Sequence, residues 1–134
     1  MAATSTTLLL LLPITLLLAA SSRAAPNTAA RSVLCNGATY GPGDPFAASL
    51  AYVLSELQSA TPARNDHDFY NISPYPTAFA YGHASCVAAL TAADCGSCLA
   101  SAASQMNATC GHSVGARAVL VDCGLRYEQY AFKD

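Results

Sequence analysis

Six cysteines, Cys35, Cys86, Cys95, Cys98, Cys110 and Cys123, carry the strongest chemical signal in this 134-residue chain. Three chemistries can use such a set. The thiols can pair as disulfides. Cys95-Gly96-Ser97-Cys98 has the spacing of a redox-active CxxC motif. Completed by Cys110 and His112, the same pair has the donor types of a zinc site. A redox pair would need its two sulfurs bonded to each other after a strand, in a βαβ setting that this chain lacks. Zinc would need reduced thiols, which a secretory route disfavours. An even number of cysteines behind a leader reads instead as a disulfide framework, with fifteen pairings open to six cysteines. No metal and no cofactor is expected.

The remaining reactive groups do not assemble into a catalytic set. His67 stands between Asp66 and Asp68, but in a polar connector beside proline-rich sequence. His83 and His112 have no nucleophile partner marked by spacing, and nothing signals an oxyanion site. Glu56 and Glu128 are the only glutamates, a thin basis for the paired carboxylates of glycoside hydrolysis. A non-enzymatic role is the reading.

Stepping outward from the cysteines, the N-terminal region reads as a leader. Leu8–Ala20 is an apolar run interrupted only by Pro13 and Thr15, shorter than the roughly 20 residues that cross a bilayer. Ser22 and Ala24 supply the small residues that signal peptidase favours, so residues 1–24 are expected to be removed and 25–134 to form one secreted domain. That removal takes Arg23 from the six Lys and Arg, leaving five against eight Asp and Glu, a net charge of −3. Such a chain has no basic footprint for nucleic acid and no cationic amphipathic face for membrane lysis. No integral membrane segment is expected, and a monomer is.

Residues 25–34 read as an unanchored lead, and Asn36 to Pro45 as a turn-rich loop. Asp44-Pro45 looks like an N-cap followed by proline at the first helical position. Phe46, Leu50, Val53, Leu54 and Leu57 then recur at helical spacing, which predicts a helix over 46–60 stopped by Thr61-Pro62. Phe69–Ile72 and Ala78–Cys86 read as strands. Leu99, Ala102, Ala103 and Met106 fall on one face of a second helix over about 93–106. Residues 115–130 alternate as one long or two short strands. The fold class is α+β: two helices packed on one face of an antiparallel, about five-stranded sheet, with three disulfides.

The Cys86-x8-Cys95-x2-Cys98 spacing closely resembles the plant ginkbilobin family, antifungal seed proteins related to cysteine-rich repeat secretory proteins and receptor-like kinase ectodomains. Supporting stretches are Gly43-Asp44-Pro45-Phe46, Ala80-Tyr81-Gly82-His83-Ala84-Ser85-Cys86, Val114-Gly115-Ala116-Arg117, Leu120-Val121-Asp122-Cys123 and Tyr127-Glu128-Gln129. The likeness runs from Cys35 to Phe132. It implies the pairing Cys35–Cys110, Cys86–Cys95 and Cys98–Cys123.

The resemblance also implies a sugar site. Sugar-binding members use an Asn beside the first cysteine, an Arg before the last and a Glu after it, which here are Asn36, Arg117 and Glu128. These types suit a neutral hexose, because a carboxylate accepts from neighbouring hydroxyls, a guanidinium donates in a fixed fork, and an amide does both. Arg117 and Glu128 are an odd number of positions apart, so one uninterrupted strand would turn them to opposite faces. A bulge or bend near Asp122-Cys123-Gly124 is the expected remedy. Without the resemblance, Asn36 is a turn residue and Arg117 with Glu128 a solvated cross-strand pair.

Two sequons stand in the chain, Asn71-Ile72-Ser73 and Asn107-Ala108-Thr109. Pro74 makes the first a poor acceptor, which leaves Asn107 as the candidate glycosylation site. The functional expectation is a secreted, mannose-binding antifungal lectin whose partners are mannose-containing fungal surface glycans. The alternative is an extracellular protein-interaction module without essential sugar binding.

Overall fold

The first helix begins where its cap chemistry says it should. In the computed structural model, which describes residues 25–134, the Asp44 side chain accepts from the Phe46 amide at 2.9 Å. Pro45 occupies the first turn of helix α1, Pro45–Ala60, where its missing N–H costs nothing. Phe46, Leu50, Val53 and Leu57 are buried along one stripe. Thr61–Ala63 continues as a single 3₁₀ turn before the chain leaves the axis. The expected leader, residues 1–24, lies outside the described residues.

Helix α2, Ala92–Cys110, starts at Thr91, whose side chain accepts from the Asp94 amide. It runs one turn beyond the expected end at Met106. Gly111, at φ 55°, ends it in a positive-φ conformation that glycine adopts without cost and returns its N–H to the Asn107 carbonyl. The extra turn delivers Cys110 to Cys35.

Five strands form one antiparallel sheet: β1 (Ala30–Cys35), β2 (Asp68–Ile72), β3 (Tyr81–Cys86), β4 (Ala116–Leu120) and β5 (Cys123–Glu128), in the order β1-β4-β5-β3-β2. Both helices pack on one face, where Ala84, Ala116, Ala118, Leu120, Leu125 and Tyr127 join Val53, Leu57, Leu99 and Met106 in the core. Helix α1 sits so close to β3 that a Cβ at Gly82 would collide with Val53 and Leu57. The expected α+β arrangement is the one observed.

One expectation is corrected and another is made specific. Residues 25–34 are anchored: β1 pairs with β4, and Asn27 N donates to the Asp122 carboxylate at 2.6 Å. This edge strand is held by main-chain bonds and buries little side chain, so alternation could not reveal it. Of the bulge or bend expected near Asp122-Cys123-Gly124, the chain makes the bend. Residues 115–130 are two strands joined by a short turn at Val121-Asp122, and Arg117 pairs with Arg126. In an antiparallel hairpin with that register, odd positions of β4 share a face with even positions of β5.

All six cysteines are bonded, Cys35–Cys110, Cys86–Cys95 and Cys98–Cys123, with Cα separations of 5.3, 5.6 and 6.0 Å. Cys95 and Cys98 therefore bond to different partners, which removes the CxxC redox and zinc readings. The sequence separations are 75, 9 and 25, and the loop-entropy relation assigns these closures roughly 4.5, 2.7 and 3.5 kcal/mol. Each bridge has one end on α2: Cys95 and Cys98 clamp its first two turns to β3 and β5, and Cys110 clamps its last residue to β1.

Candidate functional site

The sheet face turned away from the helices carries the polar side chains. Its cross-strand rows follow directly from the register. One row reads Leu34, Arg117, Arg126, His83 and Tyr70 across β1, β4, β5, β3 and β2. The neighbouring row brings Asn36 beside Gly115, with the Asn36 N–H on the Gly115 carbonyl at 2.8 Å. On the other side of Gly115 lies Glu128, which itself pairs with Tyr81. A Cβ at position 115 would collide with the Glu128 carboxylate.

Asn36 and Glu128 thus flank Gly115, and Arg117 stands in the next row on the same face. Sheet geometry puts such diagonal neighbours within reach of long side chains. The three residues differ in availability. Arg117 is 46 % exposed, and its Nη2 is 3.6 Å from the Asp134 carboxylate. Glu128 is 12 % exposed and accepts from Arg126 Nε at 3.3 Å. Asn36 uses its side-chain oxygen to accept from the Ala38 N–H at 3.0 Å, the local turn bond that Asn favours. Its amide NH2 donors are left for a ligand.

Residues beyond that trio build the rest of the face. Tyr70 stacks on His83 with ring centroids 3.9 Å apart. His83 Nε2 faces Asp68 at 2.9 Å, and Nδ1 faces Asp134 at 2.7 Å. Arg126 donates from Nη1 to Asp134 at 2.7 Å while Phe132 lies 4.0 Å from its guanidinium carbon. Desolvation by burial opposes ionisation of Asp134, yet the hydrogen bonds from His83 and Arg126 and the charges of Arg117 and Arg126 hold its carboxyl below the ordinary value. Burial likewise works against the Arg126 charge, and its bonds to Asp134 and Glu128 override that and raise it.

Of these residues, Arg126 had a sequence signal, the alternation Arg126, Glu128, Tyr130. His83 lay within a recognised stretch. Phe132 and Asp134 had none, because they follow the last strand and reach the face by folding back. Below the face, Tyr127 donates to the Ser113 carbonyl at 2.7 Å, and burial pushes its hydroxyl up to about 12. His67, by contrast, is buried at φ 48° just ahead of β2. Among the described residues no group of three or more His, Cys, Asp or Glu could hold a metal ion, and no helix is long and apolar enough to cross a membrane.

The comparisons agree with this architecture. Antifungal protein ginkbilobin-2 from Ginkgo biloba is 35 % identical over 112 residues, covering 81 % of each chain. Antifungal protein ginkbilobin-like protein 1 from Picea glauca is 33 % identical over 110 residues, covering 81 % of this chain and 78 % of its own. Among solved structures, the tandem DUF26 ectodomain of the Arabidopsis thaliana cysteine-rich receptor-like protein PDLP5 superposes with a TM-score of 0.70 at 24 % identity, a likeness of fold. That of PDLP8 gives 0.63 at 29 %. The chain covers 51 % and 45 % of those ectodomains, about half of each, and 78 % and 77 % of itself is matched. Residues 34–130 match the model of one family, and the chain belongs to it: the salt stress response/antifungal family.

Proposed function

We propose that this chain is a secreted, non-catalytic antifungal lectin that binds mannose-type hexoses on fungal surface glycans through Asn36, Arg117 and Glu128. The observation that carries the reading is the meeting of Asn36 and Glu128 on either side of Gly115, with Arg117 on the same face. The Glu128 carboxylate lies over Gly115, where the absence of a side chain makes room for it. A hexose resting on that carboxylate would find the amide donors of Asn36 to one side. Arg117 would donate from the neighbouring row.

The site is a shallow surface rather than a cleft, so one sugar is bound weakly and a repetitive glycan supplies avidity. A leader ending near Ala24 and disulfide-bonded cysteines suit a protein released to an oxidising exterior. Asn107, exposed on the last turn of α2, is a suitable glycan acceptor on the helix side of the sheet, opposite the sugar face.

Calorimetric titration with mannose tests the proposal. Asn36→Ala, Arg117→Ala and Glu128→Ala should each abolish binding while the three disulfides and the fold persist. Unchanged binding in any two of them overturns it. The likeness to receptor-like ectodomains favours a second reading, an extracellular protein-interaction module. Exposed Ile72, Tyr75 and Phe79 around the β2–β3 connection would then serve contact with a protein.

A further inference from the structure

We propose that the outward sheet face carries a carboxylate subsite built by Arg117, Arg126 and His83, that its ligand is an acidic saccharide of the uronic acid type, and that the chain's own Asp134 occupies it in the ligand's absence. The three hosts stand in one cross-strand row on β4, β5 and β3. Asp134 Oδ1 is 2.7 Å from Arg126 Nη1 and 3.6 Å from Arg117 Nη2, and Oδ2 is 2.7 Å from His83 Nδ1. One guanidinium hydrogen bond, a second guanidinium in ion-pair contact and an imidazole around one carboxylate make a setting suited to an anion.

Host and guest differ in how they are held. The hosts project from a paired sheet. Asp134 comes on segment 129–134, which follows β5 and joins no strand ladder. Its ties to the face are made by side chains: Phe132 over Arg126 and the Asp134 N–H on the Tyr70 hydroxyl at 2.8 Å. A segment attached in this way can be exchanged for a ligand that offers the same carboxylate.

The groove around this point measures about 410 Å³ and is also lined by Arg31 and Ser85, within the range of small-ligand sites. Arg31 adds a third guanidinium along the groove. Asp122 lines it too, but its carboxylate already accepts from the Asn27 N–H. The saccharide class rests on the hexose reading above, because Asn36 and Glu128, which lie across the Arg117–Arg126 row from this groove, supply groups for hydroxyls. The carboxylate subsite itself stands on the Asp134 geometry. A uronic acid joins the two, being a hexose that carries its own carboxylate.

Trigalacturonate, its trimethyl ester and inorganic phosphate, titrated in turn into the full chain, test the proposal. The acid should bind at least about tenfold more tightly than the ester, as expected for charge-assisted hydrogen bonds. Asp134→Asn and Phe132→Ala should each tighten trigalacturonate binding several-fold by freeing the subsite, and neither variant touches the sheet core. Arg126→Gln should abolish the preference for acid over ester. Equal binding of acid and ester, no tightening in the two tail variants, or competition by phosphate at the trimer's own concentration overturns the proposal. Mannose binding without trigalacturonate binding retires this subsite alone. Trigalacturonate binding without mannose binding retires only the neutral-hexose reading.

Discussion

Glu128 lies directly against Gly115, so that any side chain at position 115 would meet its carboxylate before meeting anything else. The obstacle is the far end of a flexible side chain, not backbone. Gly115→Ala should therefore leave the fold nearly untouched, with a stability change below about 1 kcal/mol, yet swing the carboxylate away from Asn36. Mannose affinity should drop at least about tenfold, the scale of losing a charge-assisted hydrogen bond. Calorimetry read beside thermal unfolding separates the two effects. Full binding in a stable Gly115→Ala protein would argue that Glu128 does not touch the sugar.

Gly82 has the opposite character. A Cβ there would press on Val53 and Leu57 in the core between α1 and β3. These side chains are fully buried and have nowhere to go. Gly82→Ala should destabilise the protein by about 1–3 kcal/mol through overpacking, with sugar affinity retained in the folded fraction. Denaturant titration gives the first quantity. A neutral result would mean that the helix can slide on the sheet.

The ranking of the disulfides is a further expectation. Replacing both Cys35 and Cys110 by Ser opens the longest closed loop and frees β1, an edge strand that buries little apolar surface. Its loss should lower stability by up to about 4.5 kcal/mol, against about 2.7 for Cys86 and Cys95, when chain entropy dominates. Melting temperatures should fall in the same order. The reverse order would point to core packing at Cys95, which is fully buried, as the larger contribution.

How much of this was legible in the sequence depends on what kind of bond each element relies on. Helix α1 was readable to within one residue because Asp44, Pro45 and the spacing from Phe46 to Leu57 are all local signals. β1 was not readable, since its order comes from main-chain bonds to β4 and from the Cys35 bridge. The parity of Arg117 and Glu128 suggested opposite faces on a single strand. A turn at Val121-Asp122 reverses that, and strand register is a relation between two segments that neither shows alone. The sugar trio came from resemblance, whereas Asp134 could not have been found at all. Its place depends on a segment folding back across three strands.

The contacts of Asp134 set an acid limit on that folded-back segment. Its carboxyl titrates below the ordinary aspartate value because His83 and Arg126 hold the charged form despite burial. Stability from a group of this kind is present above the unfolded value and is lost as pH falls through the folded one. The segment should therefore stay docked at neutral pH and release below about pH 4. The chemical shifts of Phe132 followed by NMR would report it. Asp134→Asn should remove this acid transition, and an unchanged transition would assign it to another carboxylate.

Tyr127 sets the corresponding alkaline limit, from inside the core. Burial pushes its hydroxyl up to about 12, while in the unfolded chain it ionises near the ordinary value of about 10. The unfolded state therefore loses a proton first, and the contribution of Tyr127 to stability, complete below pH 10, is lost as pH rises toward 12. Ultraviolet titration of the seven tyrosines should show one that ionises late. Tyr127→Phe should erase that late step and flatten the alkaline fall in stability. It should also cost about 1–3 kcal/mol at neutral pH, because the buried Ser113 carbonyl loses the donor it has at 2.7 Å. If the late-titrating tyrosine persisted in Tyr127→Phe, the buried hydroxyl would have to be sought elsewhere in the fold.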